Sequence, residues 1–207
     1  MTQAGGRPRW PGADLPGRRL FVAVPLPDEA GAAIAELVDG VRAAGVPGGG
    51  RDVRWVRLDG LHLTLRFLGP TPDELVGPAS EAVLAAAVRS HAFEVRLGGA
   101  GSFPPGGRPR ALWLDIQAGA DELASLAVTV DATLGDAGWQ VEARPFRPHL
   151  TLARSDGVPA GAAIGARLVE AASDLDVRFR ATSIGLFESL TGGGPARYLP
   201  VTLADLA

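Results

Sequence analysis

Apolar residues in this chain fall into short, sharply punctuated runs whose spacing alternates between the period of a strand and that of a helix. Residues 20–25 (LFVAVP) form an apolar run closed by a proline, which predicts a buried strand. From Asp28 onward, Ala30, Ile34, Leu37 and Val41 recur on one helical stripe, with Asp28 and Glu29 in the first turn where the helix dipole favours anions. The Gly-rich stretch 46–50 (VPGGG) stops this helix near Gly45. Residues 53–56 and 62–68 read as strands, and Asp59-Gly60 between them predicts a hairpin turn. Thr71-Pro72-Asp73-Glu74 predicts a capped second helix with proline at its first position.

The same order returns further on. Residues 93–97 and 111–116 predict strands flanking a Gly/Pro loop (GGAGSFPPGGRPR), and residues 121–134 a helix striped by Leu123, Leu126, Val130 and Leu134. Residues 149–154 predict a strand, 164–172 a weaker Ala- and Gly-rich helix, 177–187 one long strand and 198–203 a last one. Strands and helices alternate in two similar halves, which predicts an α+β protein of two packed lobes with no free linker. Residues 1–17, Gly- and Pro-rich with a lone Trp10, are expected to form a disordered tail, and residues 18–207 a single bilobal domain.

One word is repeated within this pattern. His62-Leu63-Thr64-Leu65 and His149-Leu150-Thr151-Leu152 are identical, and each begins with one of only three histidines. On a strand, alternate side chains share a face, so each copy presents an imidazole and a hydroxyl together. If the halves pack with an approximate two-fold relation, both pairs reach one cleft. That set suits phosphate chemistry. One imidazole takes a proton from attacking water while the other gives one to the leaving oxygen, and an ordinary pKa near ~6.5 lets the two states coexist. The threonine hydroxyls donate to the non-bridging oxygens. His91 reads instead as a cation at a helix C-terminus.

Composition removes competing chemistries. The 207 residues include no cysteine, which excludes disulfides, a thiol nucleophile and a thiolate metal site, and fits a reducing cytoplasm. All 20 basic residues are arginine, so a Schiff base, a phosphate-binding P-loop lysine and a lysyl-nucleotide intermediate are excluded too. A net charge of −3 disfavours coating long nucleic acid but leaves room for a small anion or one RNA end. No apolar run approaches the ~20 residues that span a bilayer, so no membrane partner is expected. Two histidines on separate strands lack a matched third ligand, and neither a metal nor another cofactor is expected.

The flanks of the repeated word extend the pattern. They comprise Arg19-Leu20-Phe21-Val22-Ala23 with Leu26-Pro27, Trp55-Val56, Leu61 before the first word and Arg66-Phe67-Leu68-Gly69 after it. Gly101-Ser102-Phe103, Pro109-Arg110 and Leu112-Trp113 follow, then Arg147-Pro148 and Ala153-Arg154 around the second word, and Leu186-Phe187-Glu188-Ser189. In these residues, from about Arg19 to Leu203, the chain resembles the 2H phosphoesterase superfamily. The resemblance is to the bacterial and archaeal RNA 2′,3′-cyclic phosphodiesterases in particular, long called 2′-5′ RNA ligases.

The resemblance implies a bilobal α+β fold, a pseudo-two-fold repeat in which two antiparallel sheets line a central cleft with helices packed outside. It implies metal-independent hydrolysis of a 2′,3′-cyclic phosphate, on an RNA end or a nucleotide, to a 2′-phosphomonoester. His149 is then the proton acceptor and His62 the proton donor, although a near-symmetric site leaves the reverse polarity open. Thr64 and Thr151 bind substrate. Phe67 and Arg154 match family positions that stack on a base and contact phosphate.

Each of these last two lies five positions after its histidine, an odd offset that places it on the far face of a regular strand. Either the strand bulges or ends first, or Phe67 is core. Trp55, Phe103 and Trp113 read as packing residues, with the alternative that one of them lines the nucleotide pocket, and Arg147 stays open between cleft and surface. Any ligation would reverse the ring opening, with an RNA 5′-hydroxyl in place of water. Two alternatives stand beside this reading: another small cyclic phosphate or 2′-5′ linkage as substrate, and a non-catalytic module that binds RNA ends. The chain is expected to act as a monomer.

Overall fold

The computed structural model describes residues 17–45, 53–105, 107–192 and 194–207. The leader predicted as a tail, apart from Gly17, and the 46–50 glycine run lie outside them. Strand β1 (Arg18–Pro25) carries the first apolar run, buried from Leu20 to Val24, and ends at a proline that has no N–H to donate. Helix α1 (Asp28–Ala44) buries Ala30, Ile34, Val38 and Val41. Leu37, predicted on that stripe, is only partly buried because the buried row steps by four from Ile34 to Val38.

The hairpin predicted at Asp59-Gly60 does not form. Strands β2 (Arg54–Trp55) and β3 (His62–Thr71) belong to different sheets, and Leu58–Gly60 between them is a single 3₁₀ turn. The N–H of Val56 donates to the Leu152 carbonyl at 2.9 Å, while that of Leu26 donates to the Leu61 carbonyl at 3.2 Å. The chain therefore crosses from one sheet to the other at this turn. Helix α2 (Asp73–Val88) begins after Pro72, and Thr71 is not its cap. Thr71 ends β3, and its hydroxyl donates back to the Gly69 carbonyl at 3.2 Å.

Strands β4 (Phe93–Phe103) and β5 (Ala111–Ala118) absorb much of the predicted loop. Small residues make this possible. Gly101 pairs with Trp113, and a Cβ there would meet the indole at 2.4 Å. Gly101→Ala is accordingly expected to destabilise the fold by about 1–3 kcal/mol through overpacking, read from its urea unfolding midpoint; a parent-like midpoint would mean that Trp113 moves aside freely.

Helix α3 (Ala120–Asp136) buries the predicted stripe of Leu123, Leu126, Val130 and Leu134. Strand β6 (Leu150–Arg154) and helix α4 (Pro159–Ala171) follow, and the single strand predicted over 177–187 is broken at Thr182. Its two parts, β7 (Val177–Ala181) and β8 (Ser183–Leu190), serve different sheets, and β9 (Arg197–Asp205) completes the set.

The result is the α+β architecture expected, with two antiparallel sheets ordered β3-β1-β8-β9 and β2-β6-β5-β4-β7. They do not divide the chain into halves. The four-stranded sheet takes β1 and β3 from the start of the described sequence and β8 and β9 from its end, while the five-stranded sheet takes β2, which lies between β1 and β3, and then β4 to β7. Helix α2 covers β8 and β9 beside α3, which lies on β3, while α1 and α4 pair over β7 and β4. Each sheet contributes one strand of the repeated word, and edge strand β3 lies against β6. Leu63, Leu65, Leu150 and Leu152 fill the core behind them, each such burial worth roughly 1.5–3 kcal/mol.

Candidate active site

The odd offset of Phe67 and Arg154 has one cause, present twice. In β3, Thr64 pairs with Ala23 and Arg66 with Val22, which leaves Leu65 as an extra residue. In β6, Thr151 pairs with Trp113 and Ala153 with Leu112, which leaves Leu152 as an extra residue. A one-residue bulge resets the alternation of a strand. Both bulges fall on the last leucine of the repeated word, and beyond them Phe67 and Arg154 turn to the side of the histidines. Phe67 is 49% exposed and lines the cleft, so it is not core.

The two imidazoles are held alike. Nδ1 of His62 lies 2.7 Å from the Gly60 carbonyl, and Nδ1 of His149 lies 2.7 Å from the Arg147 carbonyl. A carbonyl only accepts, so Nδ1 carries the hydrogen in both rings and Nε2 is left for chemistry. Aromatic walls complete each setting. His62 sits 4.7 Å from the Phe21 ring centroid and 4.8 Å from the edge-on Tyr198 ring. His149 sits 5.1 Å from Phe103 and 6.3 Å from Trp113. Gly60 admits Tyr198 as Gly101 admits Trp113, since a Cβ on Gly60 would lie 2.9 Å from the Tyr198 ring.

Two cavities, of about 530 and 710 Å³, flank the junction of the sheets. His62 and Tyr198 line the first, His149 and Phe103 the second, and both share Thr64, Phe67, Arg144, Thr151 and Arg154. The shared five form the middle of one cleft with a histidine on either side. Among the described residues, Arg154 makes no ion pair, so its guanidinium is available to an anion there.

Burial lowers the pKa of both His62 and His149 below 6.5, their carbonyl contacts oppose that shift, and the Arg154 cation lowers both further. A reaction that needs one ring protonated is therefore favoured at mildly acid pH. We expect kcat/KM to peak below about 6.5 and to fall as pH rises and the donor loses its proton, whereas kcat, measured with an anionic substrate bound, peaks higher. A kcat/KM plateau extending well above 7 would contradict this.

The structure thus brings His62, Thr64, Phe67, His149, Thr151 and Arg154 into one cleft. Phe103, read from the sequence as packing, contacts a histidine and lines the cleft; Trp113 stacks behind it with centroids 4.9 Å apart. Trp55 lines neither cavity and carries the Arg42 guanidinium 5.3 Å above its ring. Arg147 lines the His149 cavity, while His91 follows α2 and lines neither. Sequence reasoning missed Tyr198 and Arg144. Tyr198 had one signal, being the only tyrosine of the chain; Arg144 sits where no periodicity exists.

Among the described residues, no three or more His, Asp or Glu side chains gather as a metal site, and no helix is long and apolar enough to cross a membrane. A family model described as the 2′-5′ RNA ligase superfamily matches residues 26–193. The chain belongs to that superfamily. Both copies of the His-Leu-Thr-Leu word lie inside the matched span.

Its superfamily relatives include a protein of Aeropyrum pernix named RNA 2′,3′-cyclic phosphodiesterase, 33% identical over 164 residues, covering 78% of this chain and 89% of that one. Another of that name from Thermus thermophilus is 40% identical over 144 residues, 66% of this chain and 68% of the relative. Among solved structures, Escherichia coli LigT complexed with 3′-AMP superposes with a TM-score of 0.68 at 29% identity, over 91% of this chain and 98% of that one.

Proposed function

We propose that this chain hydrolyses RNA 2′,3′-cyclic phosphate ends to 2′-phosphomonoesters by two-histidine acid–base catalysis. One observation carries the reading: two imidazoles with the same tautomer flank a shared floor that includes Thr64, Thr151 and Arg154, the last without an ion pair among the described residues. The name that the relatives bear supports the substrate class.

In this reading Nε2 of His149 accepts a proton from water as its oxygen attacks phosphorus. Nε2 of His62 donates a proton to O3′ as the P–O3′ bond breaks. Water and the cyclic diester become a 2′-phosphomonoester and a free 3′-hydroxyl, and both histidines have exchanged protonation states. Thr64, Thr151 and Arg154 donate to the non-bridging oxygens, where charge builds up. Phe67, exposed beside them, offers its face to the base.

All these groups come from one chain, which supports a monomer working over residues 18–207 as one bilobal unit. The cysteine-free composition supports a cytoplasmic setting. Purified protein incubated with a short RNA ending in a 2′,3′-cyclic phosphate, in excess EDTA, should open the ring at the rate seen without chelator. Loss of activity in EDTA, restored by a divalent cation, would refute the metal-independent mechanism.

A further inference from the structure

Between α3 and β6, residues 137–149 form no helix or strand, yet they carry Arg144, Arg147 and His149. Backbone bonding alone does not hold this segment. The Trp139 N–H bonds the Leu134 carbonyl at 2.9 Å, but that of Glu142 turns to the Asp131 carboxylate, 3.1 Å from its nearer oxygen. The Arg144 N–H donates to its own neighbour, Glu142 Oε1, at 3.2 Å.

Arg66 reaches this segment from the opposite sheet. It stands on β3 directly after the Leu65 bulge and is only 9% exposed. Its Nε lies 3.3 Å from Asp131 Oδ1, its Nη1 lies 3.0 Å from Glu142 Oε2, and its Nη2 donates to the Gln140 carbonyl. The two carboxylate contacts are ion pairs away from the N–H axes, and the Gln140 carbonyl takes the aligned hydrogen bond. Glu142 meanwhile grips Arg144 through Nε to Oε1 at 3.2 Å and Nη2 to Oε2 at 2.9 Å. Two cations and two carboxylates leave the cluster without net charge.

We propose that Arg66 is a positioning residue of the active site: it ties the strand bearing His62 and Thr64 to the irregular segment that ends at His149, and through Glu142 it holds Arg144 over the shared floor. The catalytic part of this inference rests on the phosphodiesterase reading above. A buried charge adds little stability over a well-packed apolar side chain, so stability alone does not account for a cation here. Its three partners come from α3 and from the segment, and they fix where the segment lies. His149 depends on that placement, because its Nδ1 donates to the carbonyl of Arg147 in the same segment.

The test compares Arg66→Met, Arg66→Lys and Glu142→Gln in the full chain. Readouts are kcat and KM on an RNA 2′,3′-cyclic phosphate, amide hydrogen exchange over residues 140–148, and NMR signals of the His62 and His149 rings. For Arg66→Met we expect kcat to fall about 10- to 100-fold, with KM changed less, as for a misplaced catalytic group. Exchange should quicken over 140–148, and the His149 ring signals should move while those of His62 stay. Arg66→Lys should recover part of kcat, because it keeps the charge but not the fork.

Folded Arg66→Met with parent-like kcat and exchange overturns the proposal. If that variant does not fold, Glu142→Gln on the cluster's outer side decides in its place: faster 140–148 exchange with reduced kcat supports the tether, and parent-like values overturn it. Should the parent itself leave the cyclic phosphate intact, the proposed function fails. Exchange and ring signals would then still judge the tether.

Discussion

Replacing His62 or His149 with alanine should lower kcat for cyclic phosphate opening by about 10²–10⁴-fold each, the range lost with one general acid or base. Binding of the substrate should persist, because Thr64, Thr151, Arg154 and Phe67 still line the shared floor. The double variant should be little worse than the poorer single one, since donor and acceptor act on the same transition state. Residual activity also assigns polarity. If His149 is the acceptor, its removal erases the acid limb of the pH profile, and removal of His62 erases the alkaline limb. The opposite pattern reverses the roles and leaves the paired-histidine mechanism standing. A single variant that retained full kcat would exclude that histidine from the chemistry.

Arg154→Met should have the second largest effect. Its guanidinium lines both cavities, and its charge adds to burial, the larger cause, in lowering the pKa of both imidazoles. In the proposed mechanism its removal takes a donor from the non-bridging oxygens, for which a loss of about 10²–10³-fold in rate is the usual scale. The pH effect has a definite sign. With the cation gone, both histidine pKa values rise toward 6.5, so both limbs of the kcat/KM profile move to higher pH. A variant that merely loosened the fold would lose rate without that displacement. Kinetics across the pH range, set against the parent, separate the two; an unmoved profile would place Arg154 outside the reach of the imidazoles.

The sequence showed much of this site, and what it hid has specific causes. His62, Thr64, His149 and Thr151 were legible because a rare residue recurs in an identical word at strand spacing, which needs no knowledge of the partner strand. The face taken by Phe67 and Arg154 was not legible. It is set by bulges at Leu65 and Leu152, and those exist only in the register with β1 and β5. The hairpin expected at Asp59-Gly60 failed for a similar reason: turn chemistry specifies a reversal but not which sheet receives the next strand. The strand expected over 177–187 is broken at Thr182 because β7 and β8 serve different sheets. Phe103 was named among three candidate aromatics but its place in the cleft was not legible, because it lies in a Gly/Pro-rich stretch that folds as strand with Gly101 against Trp113. Arg66 was visible only as part of the flank of the first word, since Asp131 and Glu142 lie far along the chain and reach it only through tertiary packing.

The central claim, that water opens the cyclic phosphate between two imidazoles, is tested most directly by phosphorus NMR of the product formed in ¹⁸O-enriched water. The expected product is a 2′-phosphomonoester carrying one solvent oxygen, formed in EDTA by the parent and at least about 10²-fold more slowly by either histidine variant. A 3′-phosphomonoester would contradict the direction of ring opening, and a cyclic phosphate left intact by folded protein would contradict the account as a whole.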